Sequence, residues 1–227
     1  MQNYRQERKF LISDIQIPVI RSRIDHLLSP DTHAGQTGSY SVRSLYFDDD
    51  RNSCFYENEN GTDPREKFRI RIYNGSTDRI MLECKRKERG RTLKTACPLT
   101  PEQAFALMRG VCLPHTEDTH PLLRKLTLQM RTRRLHPAVI VEYDRIPYVC
   151  PNGNVRITLD TNISSSGSIM QFLERDIPKR PVLTLGQQLL EVKYDTYLPD
   201  YIFQSLQLGD LRQTAFSKYY ICRKFMR

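Results

Sequence analysis

No apolar run in this chain approaches the roughly 18 residues that a helix needs to cross a bilayer. The opening stretch from Met1 to Lys9 also lacks the basic, apolar and small-residue order of a secretory signal. Cysteine is dispersed: Cys54, Cys84, Cys97, Cys112, Cys150 and Cys222 include no Cys-x-x-Cys pair. That pattern argues against a disulfide scaffold and a zinc site, and it fits a reducing compartment. The five histidines show no ligand spacing. Low-complexity tracts and an obvious internal repeat are missing too. A cytoplasmic protein with no membrane segment is the expectation.

Positive charge is plentiful. The 227 residues carry a formal net charge of +9, with an isoelectric point near 9.3 and a mean hydropathy of -0.56. This excess favours polyanionic partners such as nucleic acid, phosphates or an anionic membrane surface, or serves solubility alone. The length suits one large domain or two small ones.

The distribution of the cations narrows the choice. Lys67, Arg69 and Arg71 alternate with Phe68, Ile70 and Ile72. Strand side chains have a period of two, so the cations fall on one face and the apolar groups on the other. After the turn-like stretch from Asn74 to Asp78 the pattern resumes: Ile80, Leu82 and Cys84 alternate with Met81, Glu83, Lys85 and Lys87. A hairpin of these strands pools several cations and one carboxylate on one face. Such a face is either ordinary solvated surface or a seat for an anion, because like charges placed opposite one another are unfavourable.

The same alternation recurs along the chain. Arg5, Glu7 and Lys9 precede a capping signal at Ser13 and Asp14 and a helix over about 18–28, with Ile20, Ile24, Leu27 and Leu28 as its stripe. Residues 40–47 read as a strand ending in Asp48, Asp49 and Asp50. Successive strand residues point opposite ways, so these aspartates read as a turn rather than a metal site. Residues 54–64 read as turns, and Thr92 to Ala96 as a short strand. Thr100, Pro101 and Gln103 mark a capped helix start, Gly110 its end, and Pro121 a second start. Val139, Val141, Tyr143 and Arg145 alternate with Ile140, Glu142 and Asp144. Val155, Ile157 and Leu159 alternate with Arg156, Thr158 and Asp160, and Leu189, Glu191 and Lys193 with Leu190, Val192 and Tyr194. Helical signals run from Pro199 and across Thr214 to Phe225. At least six candidate strands thus bear Arg, Lys or Glu at alternate positions. If they close into a barrel with helices on the apolar outside, the charged face becomes a lumen that needs counter-charge.

Seven pieces carry a resemblance, in order: Glu7-Arg8-Lys9, Leu45-Tyr46-Phe47-Asp48, Lys67 to Arg71, Glu83-Cys84-Lys85, Val155 to Asp160, Leu190 to Lys193, and Phe216 to Tyr219. Together they resemble the VTC domain, the polyphosphate polymerase branch of the CYTH-like triphosphate tunnel metalloenzymes. The resemblance implies an α+β fold spanning 1–227 as a single domain, an antiparallel eight-stranded tunnel barrel with a charged lumen and flanking helices. It implies phosphate binding by Lys9, Arg69, Arg71, Lys85, Lys94, Arg145, Arg156 and Lys218. Tyr143, Lys193 and Ser217 join that set as further candidates. Glu191 is implied as the ligand of Mn²⁺ or Mg²⁺; with Arg69, Arg71 and Lys85 it forms the implied catalytic set. Glu83 either binds metal or pairs with Lys85 or Arg71, and Glu191 with Lys193 is alternatively an ordinary surface ion pair.

The implied activity is transfer of the terminal phosphate of ATP to a growing polyphosphate chain, with pyrophosphate or polyphosphate as acceptor. Two alternatives stand beside it: a metal-dependent tripolyphosphatase or nucleoside triphosphatase, and a non-catalytic polyphosphate-binding module. The related triphosphatases carry Glu-x-Glu-x-Lys, whereas Arg5 stands at the first acidic position here, which favours the polymerase branch. Nucleic acid is not expected, since the aromatics lie mostly in apolar registers and no RRM, zinc-finger or homeodomain signature occurs.

Overall fold

The structure, a computed structural model, describes residues 5–35 and 37–226. In chain order its elements are β1 (Gln6–Ser13), α1 (Gln16–Ile24), β2 (Ser29–Pro30), β3 (Tyr40–Asp48), α2 (Ser53–Glu59), β4 (Arg65–Tyr73), β5 (Ser76–Glu88), β6 (Arg91–Leu99), α3 (Pro101–Met108), α4 (Pro121–Thr132), β7 (His136–Cys150), β8 (Val155–Ser166), β9 (Arg180–Pro181), β10 (Gln187–Tyr194), α5 (Asp200–Ser205) and α6 (Lys218–Phe225). The class is α+β, as expected: antiparallel strands with helices beside them. Among the described residues the hydrogen-bonded strand order does not close on itself. The chain forms two compact units, the first from Met1–Ser41, Tyr143–Ile163 and Pro181–Ser217, the second from Val42–Glu142, Ser164–Arg180 and Lys218–Arg227.

The second unit follows from the period-two pattern of its hairpins. β4 and β5 meet across Asn74 and Gly75, both in the left-handed region at φ 53° and 62°, with Tyr73 opposite Ser76. Two-residue hairpins favour such turns because their twist matches that of the strands. At Gly75 a side chain is doubly costly, since a Cβ there lies 3.2 Å from the Arg175 carbonyl oxygen. Phe68, Ile70, Ile72, Ile80, Leu82 and Cys97 enter one core on the apolar face, where Leu107 of α3 and Leu122, Leu126 and Met130 of α4 cover them. α3 begins as its sequence indicates, with a reciprocal capping box between Thr100 and Gln103.

In the first unit Phe10, Ile157, Leu159, Leu190 and Val192 pack with Ile20 and Ile24 of α1 and Ile202 of α5. β1 pairs with β10, and β10 with β8. The outer edge of β1 is partly covered by the chain at 213–214, where Thr214 N–H donates to the Lys9 carbonyl at 2.8 Å.

Several local expectations differ from what is found. α1 starts at Gln16 and ends at Ile24, with no side-chain cap from Ser13 or Asp14; instead the Gln16 side chain accepts from Ser13 N–H at 2.8 Å. Leu27 therefore lies beyond the helix and is exposed. Residues 53–59 are helical rather than turns, the strand at 92–96 extends over 91–99, and the last helix begins at Lys218 rather than Thr214.

The aspartate triplet explains the extra helix. Asp48 is fully buried and accepts from the N–H groups of Asp49 (2.9 Å), Cys54 (2.8 Å) and Phe55 (3.2 Å), as well as from the Tyr219 hydroxyl. It satisfies the otherwise orphaned amides that start α2 and ties α6 to the same point. Asp48→Ala is expected to destabilise the protein by about 2–4 kcal/mol, because buried donors lose a charged acceptor. Urea unfolding of the variant against wild type measures it, and an unchanged midpoint contradicts this role.

Candidate functional site

Strand register turns the alternating charges into rows. In the second unit the residues on one face run Tyr46, Arg69, Glu83 across β3, β4 and β5, and beside them Lys67, Lys85, Lys94 across β4, β5 and β6. Ser44, Arg71 and Met81 form the next row. Glu83, only 2% exposed, is the hub. Arg69 reaches it at 2.6 Å, Lys94 at 2.8 Å and Arg71 at 3.7 Å. Burial alone would raise its pKa, but Arg69, Arg71 and Lys94 outweigh that and hold it far below the carboxylate range. Glu83 is thus paired with Arg69, Arg71 and Lys94. Arg69 also donates to the Tyr46 hydroxyl at 2.7 Å, and Arg71 to Ser44 Oγ at 3.1 Å. Lys67 donates to Asn58 Oδ1 at 2.8 Å and sits 4.6 Å over the Tyr219 ring. Lys218, buried, opens α6 in this unit.

The first unit has a parallel arrangement. β1 and β10 each carry an acid and a base two residues apart, and the antiparallel register sets Glu7 opposite Lys193 and Lys9 opposite Glu191. Each acid thus faces a base. Lys193 lies 2.6 Å from Glu191 and 3.8 Å from Glu7. Lys9 lies 3.2 Å from Glu7 and 3.7 Å from Glu191, and donates to the Phe216 carbonyl, next to Ser217, at 2.8 Å. Arg145 binds Asp160 through two bonds of 2.7 Å and approaches Glu191 at 3.5 Å, with its guanidinium 5.1 Å over the Tyr143 ring. Burial would lower the Arg145 pKa, but Asp160, Tyr143 and Glu191 drive it well up. Lys193 moves the other way: burial, helped by Arg145, lowers its pKa despite Glu191 and Glu7. Because the Glu191 side chain is 5% exposed, the pair it makes with Lys193 is not a surface ion pair.

Lys9, Tyr143, Arg145, Glu191 and Lys193 are therefore brought together in the first unit, and Arg69, Arg71, Lys85 and Lys94 in the second. Arg156 pairs in register with Lys193, yet its guanidinium turns to Asp31 at 2.7 Å and the Tyr40 hydroxyl at 3.0 Å. Glu7, Asp160 and Lys67 were given no role by the sequence reading, although alternation put all three on the charged faces, and no face was read for Tyr46. Asp31 could not have been found that way, since it lies in a loop.

Among the described residues no cluster of three or more His, Cys, Asp and Glu side chains is arranged for a metal. Mg²⁺ commonly takes one or two carboxylates and completes its shell with phosphate oxygens and water. Glu191 and Glu7, within reach of the same two lysines, fit that kind of site. Thr158 adds to the fit: it lies opposite Glu191 in register, is fully buried, and its Oγ1 has no hydrogen-bond partner among the described residues.

The family model of the VTC domain matches residues 4–227. No curated protein matches the sequence. Among solved structures, a candidate adenylate cyclase from Bacillus halodurans is 16% identical, with 90% of this chain and 88% of that chain covered at a TM-score of 0.49. The PH1819 protein from Pyrococcus horikoshii OT3 is 16% identical, with 99% and 100% covered at 0.48. The Mimivirus capping enzyme triphosphatase is 13% identical, with 92% and 88% covered at 0.37.

A carboxylate with a depressed folded-state pKa adds stability that is present above its unfolded pKa and disappears as pH falls through the folded one. The stability difference between wild type and Glu83→Gln is accordingly expected to be constant above about pH 5 and to shrink in more acidic solution. Thermal unfolding of both proteins across this range measures it. A difference that grows on acidification contradicts the pairing described for Glu83.

Proposed function

The chain belongs to the VTC domain family, and on that premise we propose that it is a polyphosphate polymerase, moving the terminal phosphate of ATP onto a growing inorganic polyphosphate chain. The observation that carries this reading is the row of Lys67, Lys85 and Lys94, set side by side on neighbouring strands next to Arg69 and Arg71. Like charges placed directly opposite one another are unfavourable, and an anion with several charges relieves them all at once.

Phosphoryl transfer asks mainly for positioning and charge stabilisation. In this reading Arg69, Arg71 and Lys85 grip phosphate oxygens of the triphosphate, while Glu83 holds the two guanidinium groups in place beforehand. Lys94 and Lys218 extend the same grip in the second unit. In the first, Lys9, Arg145, Arg156 and Lys193 bind phosphate, Asp160 fixes Arg145, and Tyr143 and Ser217 complete the polar set. Mn²⁺ or Mg²⁺ bound by Glu191, with Glu7 beside it and phosphate oxygens completing the shell, would supply charge neutralisation at the reacting phosphoryl group. The acceptor is an already anionic phosphate end, so no general base is required. The absence of the first acid of the triphosphatase signature supports an acceptor other than water.

We read the whole of 1–227 as one functional domain, because the family match covers both units. A cytoplasmic setting agrees with cysteines that are all free, and no helix among the described residues is long and apolar enough to span a membrane.

The deciding experiment incubates the purified chain with ATP and Mn²⁺, with and without pyrophosphate, and separates long polyphosphate from free phosphate. Long chains with ADP are expected. Free phosphate alone would identify a hydrolase, and tight polyphosphate binding with neither product a binding module. Glu191→Gln is expected to lower chain formation on the order of 100-fold or more while polyphosphate binding, followed by calorimetry, changes little. Unchanged turnover in that variant would remove Glu191 from the reaction.

A further inference from the structure

Tyr46 stands in β3 directly opposite Arg69 and is 8% exposed. Its ring leans on that of Tyr219, with 5.1 Å between centroids. The hydroxyl oxygen accepts from Arg69 Nη1 at 2.7 Å, and the Arg69 guanidinium also lies 5.6 Å from the ring centroid. That bond occupies a lone pair and leaves the phenolic proton unspent. Among the described residues nothing accepts it. A buried hydroxyl that donates to nothing is costly and uncommon. The neighbouring Tyr219 shows the ordinary solution, since its hydroxyl donates to Asp48.

The surroundings of Tyr46 point to the missing acceptor. It faces Arg69 and Arg71 on β4 and Lys85 on β5, with Glu83 one strand beyond Arg69 in the same row; Tyr219 meets it from α6. Burial would raise the phenol pKa, but Arg69, Arg71 and Lys85 outweigh it and bring it below the ordinary value. A neutral donor among cations that attract an anion is placed to complete the anion's hydrogen bonding.

We propose that Tyr46 is a further substrate-binding residue, whose O–H donates to a phosphate oxygen gripped by Arg69, Arg71 and Lys85. The inference rests on the phosphate-binding reading of this face and deepens it. Donation requires the neutral phenol. As pH rises and Tyr46 ionises, the phenolate ceases to donate and repels the anion. Binding therefore favours the protonated form, so in the alkaline range a phosphate ligand takes up a proton at Tyr46.

The test is calorimetric titration of the full chain with tripolyphosphate, no metal added, at neutral and alkaline pH. Two buffers of different ionisation enthalpy report the protons exchanged. Wild type is expected to take up more protons at alkaline pH than Tyr46→Phe, and Tyr46→Phe to bind roughly tenfold more weakly at neutral pH. Lys193, whose ammonium burial also depresses, contributes equally to both proteins and cancels in the difference. Equal affinity and equal proton uptake in the two proteins, with binding abolished in Arg69→Ala, overturn the role of Tyr46 and leave the phosphate reading intact. Failure of wild type to bind tripolyphosphate overturns that reading and the inference together. Loss of the alkaline uptake in Tyr219→Phe rather than Tyr46→Phe overturns the assignment to Tyr46.

Discussion

The placing of cations on half-buried strand faces is the constraint on which this protein depends. Two unit charges 4 Å apart interact by about 4 kcal/mol at an effective dielectric constant of 20, so rows of lysine and arginine need counter-charge. Each unit relies on a buried carboxylate. Glu83 is reached by Arg69, Arg71 and Lys94, and Glu191 by Lys9, Lys193 and Arg145. A carboxylate that serves three cations orders them without cancelling them. The face of the second unit is thus organised yet still strongly positive, the condition in which a polyanion binds to groups already in position. In the first unit Glu7 and Asp160 join Glu191 against Lys9, Lys193 and Arg145, so charge there is nearer balance.

The apolar side of the same strands carries the stability, and it also holds a buried charge pair. Arg43 lies in β3 at the parity of Leu45 and Phe47, both core residues. The residue is 3% exposed, and its guanidinium donates to Glu142 and to the carbonyls of Phe172, Glu174 and Arg175. Lys179 meets the same Glu142. A buried arginine whose three nitrogens each donate to an oxygen is tolerated where an unpaired one is not. It fixes the 172–175 segment, whose Phe172 is itself fully buried in that core. This charge pair is structural, with no exposed face to offer a ligand.

The period-two signal made most of the fold legible. The alternation of Lys67, Arg69 and Arg71 with Phe68, Ile70 and Ile72 assigned faces that the core reproduces residue by residue, and the same holds for Ile157, Leu159, Leu190 and Val192. Register was not legible, because alternation says which face a residue takes and not which partner it meets. Hence the pairing of Glu7 with Lys193, the three-lysine row and the hub role of Glu83 emerged only from the ladder. α2 escaped because its start is stabilised by Asp48, whose carboxylate reaches amides six and seven residues on; no local capping pattern records that. Arg156 illustrates the converse: its face was readable, but its tie to Asp31 depends on a loop residue distant in sequence.

The two hubs differ in a way that bears on how each unit meets an anion. Glu83 is held by Lys94 and by two guanidinium groups, which present several donors in a fixed fork. Arg69 spreads that fork over Glu83 and the Tyr46 hydroxyl. Glu191 is held chiefly by lysines, and an ammonium on a flexible stem redirects readily. Burial already works against the charge on Lys193, and an arriving phosphate would favour that charge while drawing the ammonium off the carboxylate. Under the proposed function this releases a Glu191 oxygen only when phosphate is present, so the divalent cation and the substrate would bind best together.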